Sequence, residues 1–91
     1  MTEPSWRIRL GAEAEKDFAR ILKYTRDAFG ERQVQIYRTT LLEALAALTA
    51  GPDVPGSIAH SEILPGLRTL HVARKGRRGR HFIMYRAGRA M

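Results

Sequence analysis

The sequence predicts an α+β domain in which a helical hairpin covers one face of a small antiparallel sheet. Three observations lead there. Apolar and basic residues alternate near the N-terminus, two consecutive stretches carry apolar residues three or four apart, and two short β-prone runs are joined by a glycine-containing basic loop. A chain of 91 residues has room for one domain, here 1–91. The predicted order is strand, helix, helix, strand, strand (β-α-α-β-β), and it leaves one sheet face open.

Trp6-Arg7-Ile8-Arg9-Leu10 alternates, so a strand there places Trp6, Ile8 and Leu10 on one face and Arg7 and Arg9 on the other. Over residues 12–29 the spacing changes. Ala14, Phe18, Ile21, Leu22, Thr25 and Phe29 form a helical stripe opposite Glu13, Lys16, Arg20, Lys23 and Asp27, and Gly30 supplies a stop. Val34, Tyr37, Leu41, Ala44, Leu45 and Leu48 mark a second helix that Gly51-Pro52 terminates. The short break at Gly30 folds the two helices antiparallel. Residues 53–66 hold two prolines and two glycines without a sustained period, and read as an irregular connection. Residues 67–73 and 80–87 then read as a β-hairpin.

Composition narrows the chemistry. Hydrophobic residues at 44% and charged residues at 27% belong to a globular chain, not a disordered one. No cysteine is present, which removes disulfides and thiolate catalysis. No apolar run approaches the roughly 20 residues of a membrane span, and the N-terminus lacks a signal-peptide core, so the expected location is the cytoplasm. The charge is uneven: the net value is +7, and residues 63–91 contain eight Arg or Lys but no Asp or Glu. An anionic partner follows, whether nucleic acid, acidic protein or anionic membrane surface.

The candidate binding residues lie in that acid-free stretch. Arg68 opens a strand directly after a turn, where its guanidinium fork could clamp a phosphate or carboxylate; the alternative is an internal ion pair to Glu43 or Glu62. Arg74, Lys75, Arg77 and Arg78 form a cationic loop suited to steering, or simply a solvated one. Arg80 and Arg86 bracket Phe82 and Met84 on one strand face, with His81, Ile83 and Tyr85 on the other. Cations and aromatics at two-residue spacing suit nucleic-acid contact, while for Tyr85 packing in a small, partly wet sheet is the favoured role over a chemical one. His60, His71 and His81 lack metal-ligand spacing, so no metal or other cofactor is expected. No phosphate loop or nucleophile elbow occurs, and Glu13 and Glu15 suit a helix N-terminus.

Trp6-Arg7-Ile8-Arg9-Leu10, Ala12-Glu13-Ala14-Glu15-Lys16-Asp17-Phe18, Phe29-Gly30, Pro65-Gly66-Leu67-Arg68-Thr69-Leu70 and Gly79-Arg80-His81-Phe82-Ile83-Met84-Tyr85-Arg86 follow one another in an order that resembles the RelE/ParE superfamily of type II toxin-antitoxin toxins. The ParE, or plasmid-stabilisation, branch is the more similar. The resemblance implies a RelE/ParE-like fold and a toxin neutralised by a cognate, ParD-like antitoxin with an acidic C-terminal segment. It also implies DNA gyrase as the target of the ParE branch, or ribosome-bound mRNA cleavage for the RelE branch. Arg68, Arg80 and Arg86 match the family's strand arginines, with His81 or Tyr85 as weak candidates for proton transfer. Family members usually continue past the Tyr-Arg strand into a further strand ending in a Leu-His type motif, which this sequence lacks. Three readings result: a gyrase inhibitor acting by binding, an endoribonuclease, and a shortened homologue that only binds antitoxin.

Overall fold

The computed structural model describes residues 6–87. Two helices come first: α1 spans Ala12–Phe29 and α2 spans Glu31–Ala47, followed by a 3-10 turn at Leu48–Ala50. Glu13 and Glu15 in the first turn of α1 and Arg26 in its last complement the helix dipole. Gly30 joins the helices with φ 93° and ψ 174°, a backbone region essentially reserved for glycine. Its N–H closes α1 on the Arg26 carbonyl, and its own carbonyl accepts the Val34 N–H to open α2. An Arg26–Glu31 ion pair at 2.8 Å spans the break. One residue thus ends one helix and starts the next.

The helix faces follow the sequence stripes. Val34, Leu41 and Ala44 of α2 are buried, and Phe18, Ile21 and Leu22 of α1 pack onto Leu41 and Ala44. Thr25 and Thr40 are buried polar residues at the same interface. Each hydroxyl donates to the carbonyl four residues earlier, Ile21 at 2.8 Å and Ile36 at 3.1 Å, so neither needs a partner across the interface. Phe29, at the hairpin tip, stays 64% exposed because no opposing element reaches it.

The sheet has three antiparallel strands in sequence order: β1 (Ile58–Ala59), β2 (Leu67–His71) and β3 (Phe82–Arg86). This corrects two expectations. Residues 6–10 form no strand; their recorded main-chain bond is the Trp6 N–H to the Thr49 carbonyl. The alternation supplies a strand's side-chain pattern, but a strand also needs a neighbour for its main chain, and residues 6–10 have none among the described residues. The connection over residues 53–66 does contain a strand, two residues long, which pairs Ile58 with Thr69 and Ala59 with Arg68. So short a piece leaves no period to read. The order observed is α-α-β-β-β.

Register decides what β3 presents. Leu70 faces Ile83 and Arg68 faces Tyr85, and the Val72 N–H bonds the His81 carbonyl at 3.1 Å. Antiparallel pairs alternate, so Ile83 and Tyr85 share the ladder with β2, while the main-chain groups of Phe82, Met84 and Arg86 point to the outer edge. No strand pairs that edge among the described residues. Side chains alternate across the other axis: Ile83 and Tyr85 turn toward the helices, and Phe82 and Met84 remain 58% and 69% exposed on the open face.

The core has two adjoining parts. Leu41, Ala44 and Val72 meet Phe18, Ile21, Leu22, Tyr37 and Ile83; Leu48, Val54 and Leu70 meet Ala47, Ile83 and Tyr85. Ile83 therefore joins them. Gly79 sets how closely the hairpin approaches α2, because a Cβ there would lie 2.7 Å from Val72 Cγ2 and 2.9 Å from Tyr37 Cε1. Tyr85 anchors the far end, its hydroxyl donating to the Pro52 carbonyl at 2.5 Å.

Two stability predictions follow from these contacts. Gly79→Ala should cost about 1–3 kcal/mol through overpacking, seen as a lower urea midpoint with an unchanged slope. Tyr85→Phe keeps the ring and removes the bond to Pro52, so its cost should be about 1 kcal/mol in the same measurement.

Candidate functional site

The basic hairpin is fastened to the body of the domain. Its tip is Lys75-Gly76, with φ 50° and 83°, closed by the Arg77 N–H on the Arg74 carbonyl. Two successive positive φ values are those of a mirror-image turn, which suits the twist of a hairpin. Arg77 then reaches back to α2, where Nε and Nη2 donate to the two carboxylate oxygens of Glu43, each at 2.9 Å. Arg74 donates to the Pro55 carbonyl at 3.3 Å. A forked pair and a main-chain anchor thus tie the loop down, leaving Lys75 and Arg78 as its solvent-facing cations with no carboxylate partner among the described residues.

Beside the loop lies an aromatic cleft of about 680 Å³, lined by Tyr24, Phe29, Ile36 and Tyr37 of the helices and by residues 76–81. Tyr24 and Phe29 meet edge to face with ring centroids 6.4 Å apart. At its inner end the Tyr37 hydroxyl lies 2.5 Å from His81 Nδ1. Burial raises the Tyr37 pKa, against a smaller pull from the Arg80 and His81 main-chain N–H groups and the Arg80 charge. Burial also lowers the His81 pKa, with the Arg80 charge acting in the same direction. With the phenol protonated and the imidazole neutral, the two groups share one hydrogen bond whose donor follows the imidazole tautomer, and His81 Nδ1 is occupied in either case.

The three strand arginines do not meet. Arg68 turns to the helix-facing side, and its Nε and Nη2 both donate to Ser57 Oγ at 3.2 and 2.8 Å; neither Glu43 nor Glu62 pairs with it. Arg86 lies opposite Leu67 at the same end of the sheet but on the open face. Arg80 precedes β3 at the other end, roughly 20 Å away along extended chain. On the open face His71 and Phe82 stack edge to face at 4.5 Å, next to Met84. His60 Nε2 meets Thr69 Oγ1 at 2.9 Å. Tyr85, a weak proton-transfer candidate in the sequence, spends its hydroxyl on Pro52.

What these surfaces share is the ability to grip an anionic polypeptide or polynucleotide, with cations held on a frame beside exposed aromatic rings. The model of the family described as "ParE toxin of type II toxin-antitoxin system, parDE" matches residues 8–90. The chain belongs to the ParE toxin family. It is the toxin of a type II toxin-antitoxin pair, and an antitoxin partner comes with that membership. No curated protein and no solved structure gives a significant match to the chain. No helix among the described residues is long and apolar enough to cross a membrane.

Sequence reasoning missed Tyr37 as a member of the aromatic cleft of this ParE-family toxin, because its place in the α2 stripe marked it for the core. It also missed Tyr24 and Ile36. Their signal was available in part: Tyr24 and Ile36 fall outside the apolar stripes yet are large and apolar, which is what an exposed cleft requires.

His81 generates a pH prediction. Its folded pKa lies below the ordinary imidazole value of about 6.5, so the unfolded chain binds that proton more readily. The His81 contribution to stability should be complete above pH ~7 and be lost as pH falls through the ordinary value toward the lowered one. NMR titration of the ring and denaturation at several pH values check this; His81→Gln should flatten that part of the profile.

Proposed function

We propose that this ParE-family toxin acts by binding, inhibiting DNA gyrase, and that a ParD-like antitoxin neutralises it by laying an acidic segment over its cationic surface. The observation that carries the reading is the dispersal of Arg68, Arg80 and Arg86: two lie at one end of the sheet on opposite faces and the third at the other end. A cleavage site must concentrate cations on one developing phosphate charge, together with a free base. Here the arginines diverge, His81 Nδ1 is tied to the Tyr37 hydroxyl, and the Tyr85 hydroxyl is bonded to Pro52. Dispersed cations suit a broad protein surface instead. Arg78, Arg80 and Lys75 are the target- or antitoxin-binding residues with most freedom, Arg86 extends the surface along β3, and Arg74, Arg77 and Arg68 shape it through their internal bonds.

Purified protein should inhibit gyrase supercoiling and leave mRNA on translating ribosomes intact. Replacing Lys75, Arg78 and Arg80 together by Ser should weaken inhibition by about tenfold or more at low salt, with circular dichroism unchanged. Codon-specific cleavage at the ribosome with gyrase untouched would establish the RelE-like endoribonuclease instead. Activity in neither assay would establish a homologue that only binds antitoxin.

A further inference from the structure

The aromatic cleft beside the basic loop brings together two chemistries that the fold itself does not use. On its helix side Tyr24, Phe29 and Ile36 are exposed, and the edge-to-face contact of Tyr24 with Phe29 leaves ring surface uncovered. On its hairpin side Arg78 and Arg80 are exposed, and neither has a carboxylate partner among the described residues. No Asp or Glu lines the cleft, and its third arginine, Arg77, is already paired with Glu43. At the inner end the bond between Tyr37 and His81 ties helix to hairpin, so a polymer cannot thread through there. We propose that this cleft is a nucleotide site, taking a free purine nucleoside phosphate with its base stacked on Tyr24 and Phe29 and its phosphates held by Arg78 and Arg80.

Each part of the ligand follows from one part of the cleft. Large apolar side chains exposed together mark a binding surface, and aromatic rings stack any base because every base offers a π-face; a purine offers the larger one. Guanidinium forks match phosphate oxygens. An uncharged aromatic ligand would leave Arg78 and Arg80 unmatched, and inorganic phosphate would leave the rings bare. Gln33, also exposed on the lining, offers an amide donor and acceptor to the edge of a base. The volume of about 680 Å³ lies within the roughly 300–1,000 Å³ of small-molecule sites. Closure at Tyr37 and His81 selects a single nucleotide over a strand, which needs a path open at both ends. Occupancy would withdraw Arg78 and Arg80 from the protein-binding surface proposed above, making the nucleotide a competitor for it. Nucleotide binding itself does not rest on that reading.

The test titrates the full chain with ADP, free of divalent metal, and with its two parts, adenosine and pyrophosphate, under NMR observation. ADP should bind saturably with a Kd below about 1 mM, and about tenfold or more tighter than either part. The ring signals of Tyr24, Phe29 and His81 should move, whereas those of His71, stacked on Phe82 across the sheet, and of His60, bonded to Thr69, should stay. Phe29→Leu, at the exposed hairpin tip, should weaken ADP about tenfold and leave pyrophosphate within about twofold. The Arg78→Ser, Arg80→Ser double variant should weaken ADP and pyrophosphate about tenfold and leave adenosine unchanged. Should Phe29→Leu unfold, Tyr24→Leu takes its place. Pyrophosphate binding as tightly as ADP would overturn the proposal by leaving only a cationic patch, and adenosine doing so would leave only an apolar one. Shifts at His71 with none at His81, or no saturable binding up to about 10 mM ADP, would overturn it too. So would a single-stranded dA oligonucleotide that moves Tyr24, Phe29 and His81 at about tenfold higher affinity than ADP, since the cleft would then take a strand. Binding is read on the toxin alone, so the nucleotide site and the gyrase target fail separately.

Discussion

The seam where α2 lies across β2 and β3 is the contact on which the other features depend, because both halves of the core are closed by it. Leu41 and Ala44 meet Val72 on one side, and Leu48 meets Leu70 on the other, with Ile83 common to both. A sheet whose outer strands are two and five residues long has little stability of its own, so the helices must supply the missing cover. Close approach at this seam requires a residue without a Cβ, and Gly79 meets Val72 and Tyr37 there. The same approach brings Tyr37 against His81 and aims Arg80 outward beside them. Packing and site geometry are thus set by one contact.

Fastening then turns a run of positive charge into a surface with definite geometry. Arg77 reaches Glu43 through a forked pair that, as an exposed ion pair, contributes at most about 1 kcal/mol to stability. Its larger effect is positional. By neutralising Arg77 and holding the turn, it leaves Lys75 and Arg78 as the exposed cations of a loop whose backbone is placed. Arg68 behaves similarly, since its fork joins β2 to the segment before β1 through Ser57. Internal use of some cations orders the presentation of the others.

Much of the fold was legible in the residues. The helix bounds 12–29 follow from the apolar stripe and from Gly30, whose conformation other residues avoid, and the β2–β3 hairpin follows from two apolar runs flanking a basic turn. Two features were not. Residues 6–10 carry a strand pattern without a strand, because alternation fixes side-chain faces but not the presence of a neighbour. Ile58–Ala59 is a strand only because β2 lies beside it. The site divides the same way. Each cation was legible by type, yet Arg77 with Glu43, Arg68 with Ser57 and Tyr37 with His81 are tertiary pairs between segments far apart in sequence, and no local spacing encodes them. Dispersal of the three arginines, on which the proposal of binding over cleavage rests, is likewise a property of register and face.

β3 concentrates the resulting conflict. Its Ile83 and Tyr85 belong to the core, its Phe82 and Met84 stand exposed on the open face, and its outer edge is unpaired among the described residues. An isolated domain would blunt such an edge with charge, proline or a bulge, and Arg86 at the far end supplies only charge. The remaining exposure cannot be removed without altering the strand that closes the core. A ligand of the native state that covered β3 would meet both demands together, since whatever binds the native state alone also stabilises it by mass action. For a domain of 91 residues, whose stability is ordinarily a few kcal/mol, that linkage is large relative to the whole. Whatever covers the exposed side of these five residues is therefore coupled to the core that Ile83 and Tyr85 close.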